Sequence, residues 1–299
     1  KPVRMLNPKL KPVMNPISEI DLKHHSAMNH VTGESVYVNY MDFSGRLLHG
    51  LVVYSKYAHA KIKWINTEEA KKVEGVKAIL TSKDIPGKNQ MGPVAHDEEC
   101  LAINEVRFIG QAIAIIAAEN DDIARSAEKL VHIEYEKIEP ILSIEAAQES
   151  NSYLTLPAKI ETGNVDKTFG VVKNTFSGTL ETGAQEHWYL ETQSCICVPG
   201  ESNEMQVYSS TQHPSETQAI VAGVLKLSNH KVIVESKRMG GAFGGKETHA
   251  NHVAAWTALL ANATGRPVKI HLFRDDDQIM TGKRHGFLSH YTAGFDDEG

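Results

Sequence analysis

Cysteines, basic excess and long apolar runs are all scarce in this chain. Only three cysteines, Cys100, Cys195 and Cys197, occur in 299 residues. That count excludes a disulfide-stapled scaffold and reads as reduced thiols in a cytoplasmic protein. No cysteine spacing fits an iron–sulfur cluster, so any electron relay belongs on another chain. Cys195 and Cys197 alternate with Ile196, which puts both thiols on one strand face as small buried hydrophobes rather than a metal pair. The net charge is −6 with no basic cluster, which argues against a nucleic-acid partner. Apolar stretches such as Ala112 to Ala118 fall far short of the roughly 20 residues that span a bilayer. No signal peptide is visible.

What is present is an ordinary globular composition, 41% hydrophobic, with length enough for two domains. Residues 1–26, rich in Lys, Pro and Asn without a period, read as an extended arm lying on a neighbour. A first unit follows over 27–147. It has strands at Val36-Tyr37-Val38, Leu47 to Tyr54, Lys77 to Leu80, Phe108 to Ala117 and His132 to Tyr135. Asn66 and Asn120 are the expected N-caps of two helices. A polar break at 148–152 opens a second unit, 153–299. Strands are expected there at Lys173 to Leu180, Tyr189 to Val198, Met205 to Ser209, Val232 to Glu235 and Val268 to Phe273. Pro214 can open a helix to Leu227, and Glu247 to Ala263 reads as a helix with one broad apolar face. Phe287 to Phe295 alternates as a strand, and 296–299 reads as a hairpin turn with no returning strand. The expectation is a fragment or one piece of a split subunit.

One stretch stands apart: Lys237-Arg238-Met239-Gly240-Gly241-Ala242-Phe243-Gly244-Gly245-Lys246-Glu247. Four glycines in six positions at a strand-to-helix junction imply close approach of backbone. The following helix's first N–H groups would suit an anionic ligand. Gly240 to Lys246 fits a phosphate loop, but Glu247 stands where Ser or Thr should hold magnesium. A carboxylate beside a triphosphate is repelled, which excludes a nucleotide triphosphatase. His249 and His252 lie three apart, yet no third metal ligand accompanies them; they are read as packed or surface histidines. Asp275-Asp276-Asp277 lacks calcium-loop spacing and reads as a solvated turn or helix start.

Three further segments accompany the loop: Gln185 to Glu191, Ser210-Thr211-Gln212-His213-Pro214, and Arg274 to His285. In this order and spacing they resemble the molybdopterin-binding part of the xanthine dehydrogenase/aldehyde oxidase family. Upstream, Gly50 to Ile62 and Phe108 to Ala112 look like that family's leading domain. The resemblance implies an α+β chain: an α/β hammerhead domain followed by the first part of a molybdopterin-binding α+β domain. It also implies oxidative hydroxylation of a purine such as xanthine or hypoxanthine on a molybdenum–molybdopterin cofactor. Partners would be the rest of the molybdenum subunit and units carrying [2Fe-2S] and FAD, with no membrane or nucleic acid.

By resemblance, Gln212 contacts an oxygen ligand of the metal, and the backbone of Phe243 and Gly244 approaches the cofactor. Glu247 orients substrate; an acid there goes with purines, and apolar residues with aldehydes. Gln185 and His187 support the site. No residue here ligates metal directly, and the general base is expected beyond residue 299. The chain alone is expected to be inactive. A non-catalytic binding or assembly module that keeps the fold is the competing reading.

Overall fold

The computed structural model describes residues 24–43, 45–93 and 95–298. The chain divides between Val36 and Tyr37 rather than at 26/27. Most of the expected arm, 1–26, lies outside the described residues. The described part of the first unit holds one helix, α1 (Ala27–Thr32), ended by Gly33 in the left-handed region.

The second unit begins with a 3-10 turn over Val38–Tyr40, where a strand was expected. There follow β1 (Leu48–Tyr54), β2 (Ala60–Asn66), α2 (Glu68–Lys71), β3 (Val76–Thr81), β4 (Glu105–Val106), β5 (Ala112–Ala118), α3 (Asp121–Glu128) and β6 (His132–Lys137). Then come α4 (Ile144–Glu149), α5 (Val165–Phe169), β7 (Asn174–Thr182), β8 (Ser194–Pro199), β9 (Met205–Ser209), α6 (Pro214–Leu225) and β10 (Val232–Glu235). The last elements are α7 (His249–Thr264), β11 (Val268–His271), α8 (Arg274–Met280) and β12 (Phe287–Phe295).

A seven-stranded sheet runs β10-β9-β8-β11-β1-β5-β3. β10 pairs parallel with β9, and β11 parallel with β1; the remaining pairs are antiparallel. The β1–β11 pair, Leu48 opposite Val268, joins strands from the two expected sequence units into one sheet. A small sheet, β4-β2-β6, and a ribbon, β7 with β12, complete the strands. β12, expected to lack a partner, pairs with β7 along its whole length, from Phe287–Thr182 to Phe295–Asn174.

The core explains the apolar run at 112–118. Ile115 and Ala117 of β5 pack with α7, whereas Ala114, Ile116 and Ala118 pack with α3. A strand covered on both faces has no polar alternation to preserve. Phe108 to Gln111, expected to begin this strand, instead forms a turn with Gly110 at φ +96°. α3 starts where Asn120 accepts a hydrogen bond from the Ile123 N–H. Asn66 likewise accepts from the Glu68 N–H, although Thr67 is the N-cap residue of α2.

α7 is buried without a break from Ala250 to Ala261, so it lacks the single apolar face expected. It packs on the seven-stranded sheet and against α6. On its outer side the Trp256 indole donates to the Cys100 carbonyl at 2.8 Å. The thiols of Cys195 and Cys197 are buried and lie 3.8 Å apart on one face of β8. Among the described residues, no helix is long and apolar enough to cross a membrane.

Candidate functional site

β10 leads into the glycine-rich segment and α7 leaves it. Its tip is a turn closed by the Gly245 N–H on the Ala242 carbonyl at 2.8 Å. Both central residues are left-handed, Phe243 at φ +54° and Gly244 at φ +92°. For phenylalanine this conformation costs on the order of 1–2 kcal/mol, and its side chain is 76% exposed, so little packing offsets that cost. Two other glycines serve close packing. A Cβ on Gly240 would stand 2.7 Å from the Glu191 Cβ, and one on Gly245 would stand 2.7 Å from the Tyr189 ring and 2.8 Å from the His187 ring.

Gln212, between β9 and α6, is bound to this loop. Its N–H donates to the Lys246 carbonyl at 2.9 Å. Its side-chain Oε1 accepts from the N–H groups of Gly244 (3.2 Å) and Lys246 (3.3 Å). With the carbonyl end occupied, the amide NH2 of this exposed side chain has no acceptor among the described residues and can donate outward. Glu247 lies one turn further on, its N–H donating to the Gly244 carbonyl at 3.3 Å. The structure therefore brings Gln212, Phe243, Gly244 and Glu247 together.

Glu247 precedes α7 rather than opening it. The N-cap is Thr248, and the Glu247 carboxylate is exposed, with no hydrogen bond to the described residues. The loop's N–H groups at Gly240, Gly244, Gly245, Lys246 and Glu247 are spent on protein acceptors. Those of Gly241, Ala242 and Phe243 have none among the described residues.

Beneath the loop lies a polar network that sequence reading missed. Lys246 is 0% exposed. Its ammonium donates to Glu191 Oε2 at 3.0 Å and to Ser210 Oγ at 2.9 Å, and sits 4.8 Å above the Tyr189 ring. Ser210 and the Gly240 N–H donate to the same Glu191 oxygen, each at 2.8 Å. Burial holds the Lys246 ammonium below its ordinary pKa, with Glu191 acting against that shift. The sequence signal is a lysine directly after two glycines, which also fits the phosphate-loop pattern.

Asp277, read as solvated, is 2% exposed. It accepts from the Tyr189 hydroxyl at 2.6 Å and the Gln193 N–H at 2.7 Å. Burial and then Asp277 push the tyrosine hydroxyl pKa well up. Residues Tyr189 to Gln193, expected in a strand, are irregular because their polar groups are drawn to Asp277, Arg274 and the loop. The Arg274 guanidinium donates to the carbonyls of Tyr189 (2.8 Å) and Leu190 (2.6 Å). Gln185 exchanges backbone hydrogen bonds with Arg284, and His187 stacks on Tyr189. All four sequence segments thus converge on one place.

The two helix histidines are packed. His249 Nε2 accepts from the Gly282 N–H at 3.0 Å, and His252 Nε2 lies 2.7 Å from Glu98. Burial, followed by His252, lowers the His249 pKa to about 4. A cleft of ≈570 Å³ beside Leu190, Phe273 and Arg274 reaches Glu191 and Gly240 but neither Gln212 nor Glu247.

The chain is similar to known proteins over nearly its whole length. Residues 145–299 match the family described as molybdopterin cofactor-binding domain. Residues 32–139 match the aldehyde oxidase and xanthine dehydrogenase a/b hammerhead domain. A xanthine dehydrogenase of Drosophila pseudoobscura pseudoobscura is 41% identical over 293 residues, covering 97% of this chain and 22% of the relative. Aldehyde oxidase 1 of Bos taurus is 42% identical over 281 residues, covering 93% of this chain and 21% of the relative. The chain thus spans about a fifth of the length of these curated relatives. The solved aldehyde oxidoreductase of Desulfovibrio gigas superposes with a TM-score of 0.80 at 26% identity, over 90% of this chain and 32% of that one. The α+β order of hammerhead then cofactor-binding domain agrees with these matches, and the chain belongs to the aldehyde oxidase and xanthine dehydrogenase family.

Proposed function

We propose that this chain forms part of a molybdenum-dependent hydroxylase that oxidises a purine such as xanthine or hypoxanthine. The observation that carries this is the Gln212–loop contact: a side-chain amide held by its carbonyl end, beside left-handed backbone at Phe243 and Gly244. These residues fit a cofactor that offers oxygen acceptors. The Gln212 NH2 and the unspent amides of Ala242 and Phe243 would donate to it, and Gly244 leaves open space where a side chain would stand. Bound there, molybdenum–molybdopterin would supply the two-electron acceptor. Net, a substrate C–H bond would be replaced by C–OH, with the oxygen from water and with two electrons and two protons released. Two electrons would pass to [2Fe-2S] and FAD units in the rest of the assembly.

Substrate class is carried by Glu247. Relatives named for xanthine and for aldehyde match this chain almost equally, at 41% and 42%, so overall similarity does not choose between them. An unpartnered carboxylate next to the loop suits a ring N–H, which a simple aldehyde lacks. We also retain two sequence domains, 27–147 and 153–299, although one sheet spans them. A cytoplasmic setting fits the three free, buried cysteines.

The test uses the full-length protein. Glu247→Val should depress xanthine turnover by about 10-fold or more relative to aldehyde turnover, the cost of one unpaired buried polar group. If the contact tightens in the transition state, kcat falls along with kcat/KM. Equal losses on both substrates would remove the purine assignment. Absence of molybdenum from the purified full-length protein would favour a non-catalytic module.

A further inference from the structure

We propose that Lys246 is a positioning residue, whose buried side chain and main chain together fix the Gln212 amide against the Phe243–Gly244 backbone before any cofactor arrives. This rests on the reading of Gln212, Phe243 and Gly244 as cofactor contacts. Lys246 acts in two directions. Its main chain holds Gln212 at both ends, taking a hydrogen bond from the Gln212 N–H and giving one to Oε1. Its ammonium reaches Glu191, and the same Glu191 oxygen takes the Gly240 N–H at the other end of the loop. Ser210, two residues before Gln212, closes the circuit by bonding both ions.

A buried lysine is an expensive means of holding a loop. An apolar side chain of similar length fills the same space without desolvating a charge. What an apolar chain cannot do is tie residues 191, 210 and 246 to one point. Three donors converge on Glu191 Oε2: the Gly240 N–H, the Ser210 hydroxyl and the Lys246 ammonium. The lysine is wholly buried, and its ammonium is bonded to Glu191 and Ser210, neither of them one of the residues read as cofactor contacts. Its influence on a bound group passes through Gln212 and the loop.

The test compares wild type, Lys246→Met and Lys246→Met/Glu191→Gln in the full-length protein, produced with and without cofactor. The double variant removes the unpaired charge, yet glutamine can still accept from Gly240 and Ser210. Two quantities are read: amide hydrogen exchange, and molybdenum per protomer. In the double variant the amides of Gly240, Gly244 and Lys246 should exchange about 10-fold faster or more, reflecting loss of one charge-assisted tether. Amides of Val253 to Leu260 in α7 should stay as protected as in wild type, while molybdenum content falls several-fold.

Wild-type loop exchange in the double variant would show that Lys246 only neutralises Glu191, and would overturn the proposal. A loosened loop with undiminished molybdenum would overturn it as well. If the double variant does not fold, Ser210→Ala removes the bridging hydroxyl; it should quicken the same amides, and unchanged exchange would again overturn the idea. A loosened loop in a full-length protein that never carries molybdenum would leave the positioning role standing and remove the cofactor reading instead.

Discussion

The two sides of the glycine-rich loop are built on opposite rules. On the inner side Gly240, Gly245 and Lys246 are packed against Glu191, Tyr189 and His187, and their N–H groups all have acceptors. On the outer side Phe243 is exposed in a left-handed conformation, the Gln212 NH2 is unspent and the Glu247 carboxylate has no described partner. A loop made only for stability would not keep an exposed phenylalanine at positive φ. A loop made only for reach would not rest on a buried ion pair. The contrast suggests a rigid floor that presents an unsatisfied upper surface, so substitutions below should cost folding and substitutions above should cost binding.

Asp277 offers the largest effect on the inner side. Asp277→Ala strands the Tyr189 hydroxyl and the Gln193 N–H in the core. Each unpaired donor costs about 1–3 kcal/mol, so about 4 kcal/mol of stability should be lost. Urea denaturation of wild type and variant measures it. A loss under about 1 kcal/mol would mean that water replaces the carboxylate and the floor is softer than described.

Acid should loosen the same floor. The folded His249 pKa is lowered from 6.5 to about 4. The unfolded chain therefore binds the proton first, and stability present above pH 6.5 is lost as pH falls from about 6.5 to 4. The shift corresponds to about 3 kcal/mol at most. Glu98, whose pKa His252 lowers, adds a loss in the same direction below its ordinary carboxylate range. Stability curves at pH 7.5, 6 and 5 should fall steadily, and His249→Gln should flatten the slope. An unchanged slope in that variant would assign the acid sensitivity elsewhere.

How much of this was legible depends on the range over which each feature is determined. β10 was readable from its own β-branched run, and α3 from Asn120 and the acids beside it, because the causes are local. The four segments at the site were readable as motifs. The chemistry that unites them was not. Lys246 meets Glu191 across 55 residues, and Asp277 meets Tyr189 across 88; no window around either residue contains its partner. Burial of a charge is also what composition argues against, so Lys246 and Asp277 were assigned to a ligand loop and to solvent. The β1–β11 pair joins opposite ends of the chain, which left the single sheet invisible as well.

Gly245→Ala separates close packing from backbone freedom. Gly245 has no left-handed φ, and the nearest atoms that an alanine Cβ meets there belong to the rings of Tyr189 and His187. Overpacking of this kind costs about 2 kcal/mol. Gly244→Ala is the matched control on the outer side: nothing lies within 4 Å of its added Cβ, but its φ of +92° does not suit alanine. The two losses should respond differently to a second change. His187→Ala makes room and should recover part of the Gly245→Ala loss while leaving Gly244→Ala unaltered. Recovery of both, or of neither, would mean that the two faces are not mechanically separate.

The smallest expected effect has the opposite sign. Phe243→Asn replaces an exposed side chain at φ +54° with one that tolerates the left-handed region. It should raise stability by about 0.5–1 kcal/mol, because strain is relieved and little packing is lost. Thermal melts at matched pH would show the gain. The same variant should hold molybdenum less well in the full-length protein, since the backbone held at residues 243–244 would no longer be shielded by the ring. A stabilised protein with weakened cofactor retention is the signature of a residue kept for its ligand at some expense to the fold. Destabilisation would instead show that the Phe243 ring, which lies 3.3 Å from the Cβ position of Gly241, already belongs to the packed floor, and the division between the loop's two sides would have to be redrawn around it.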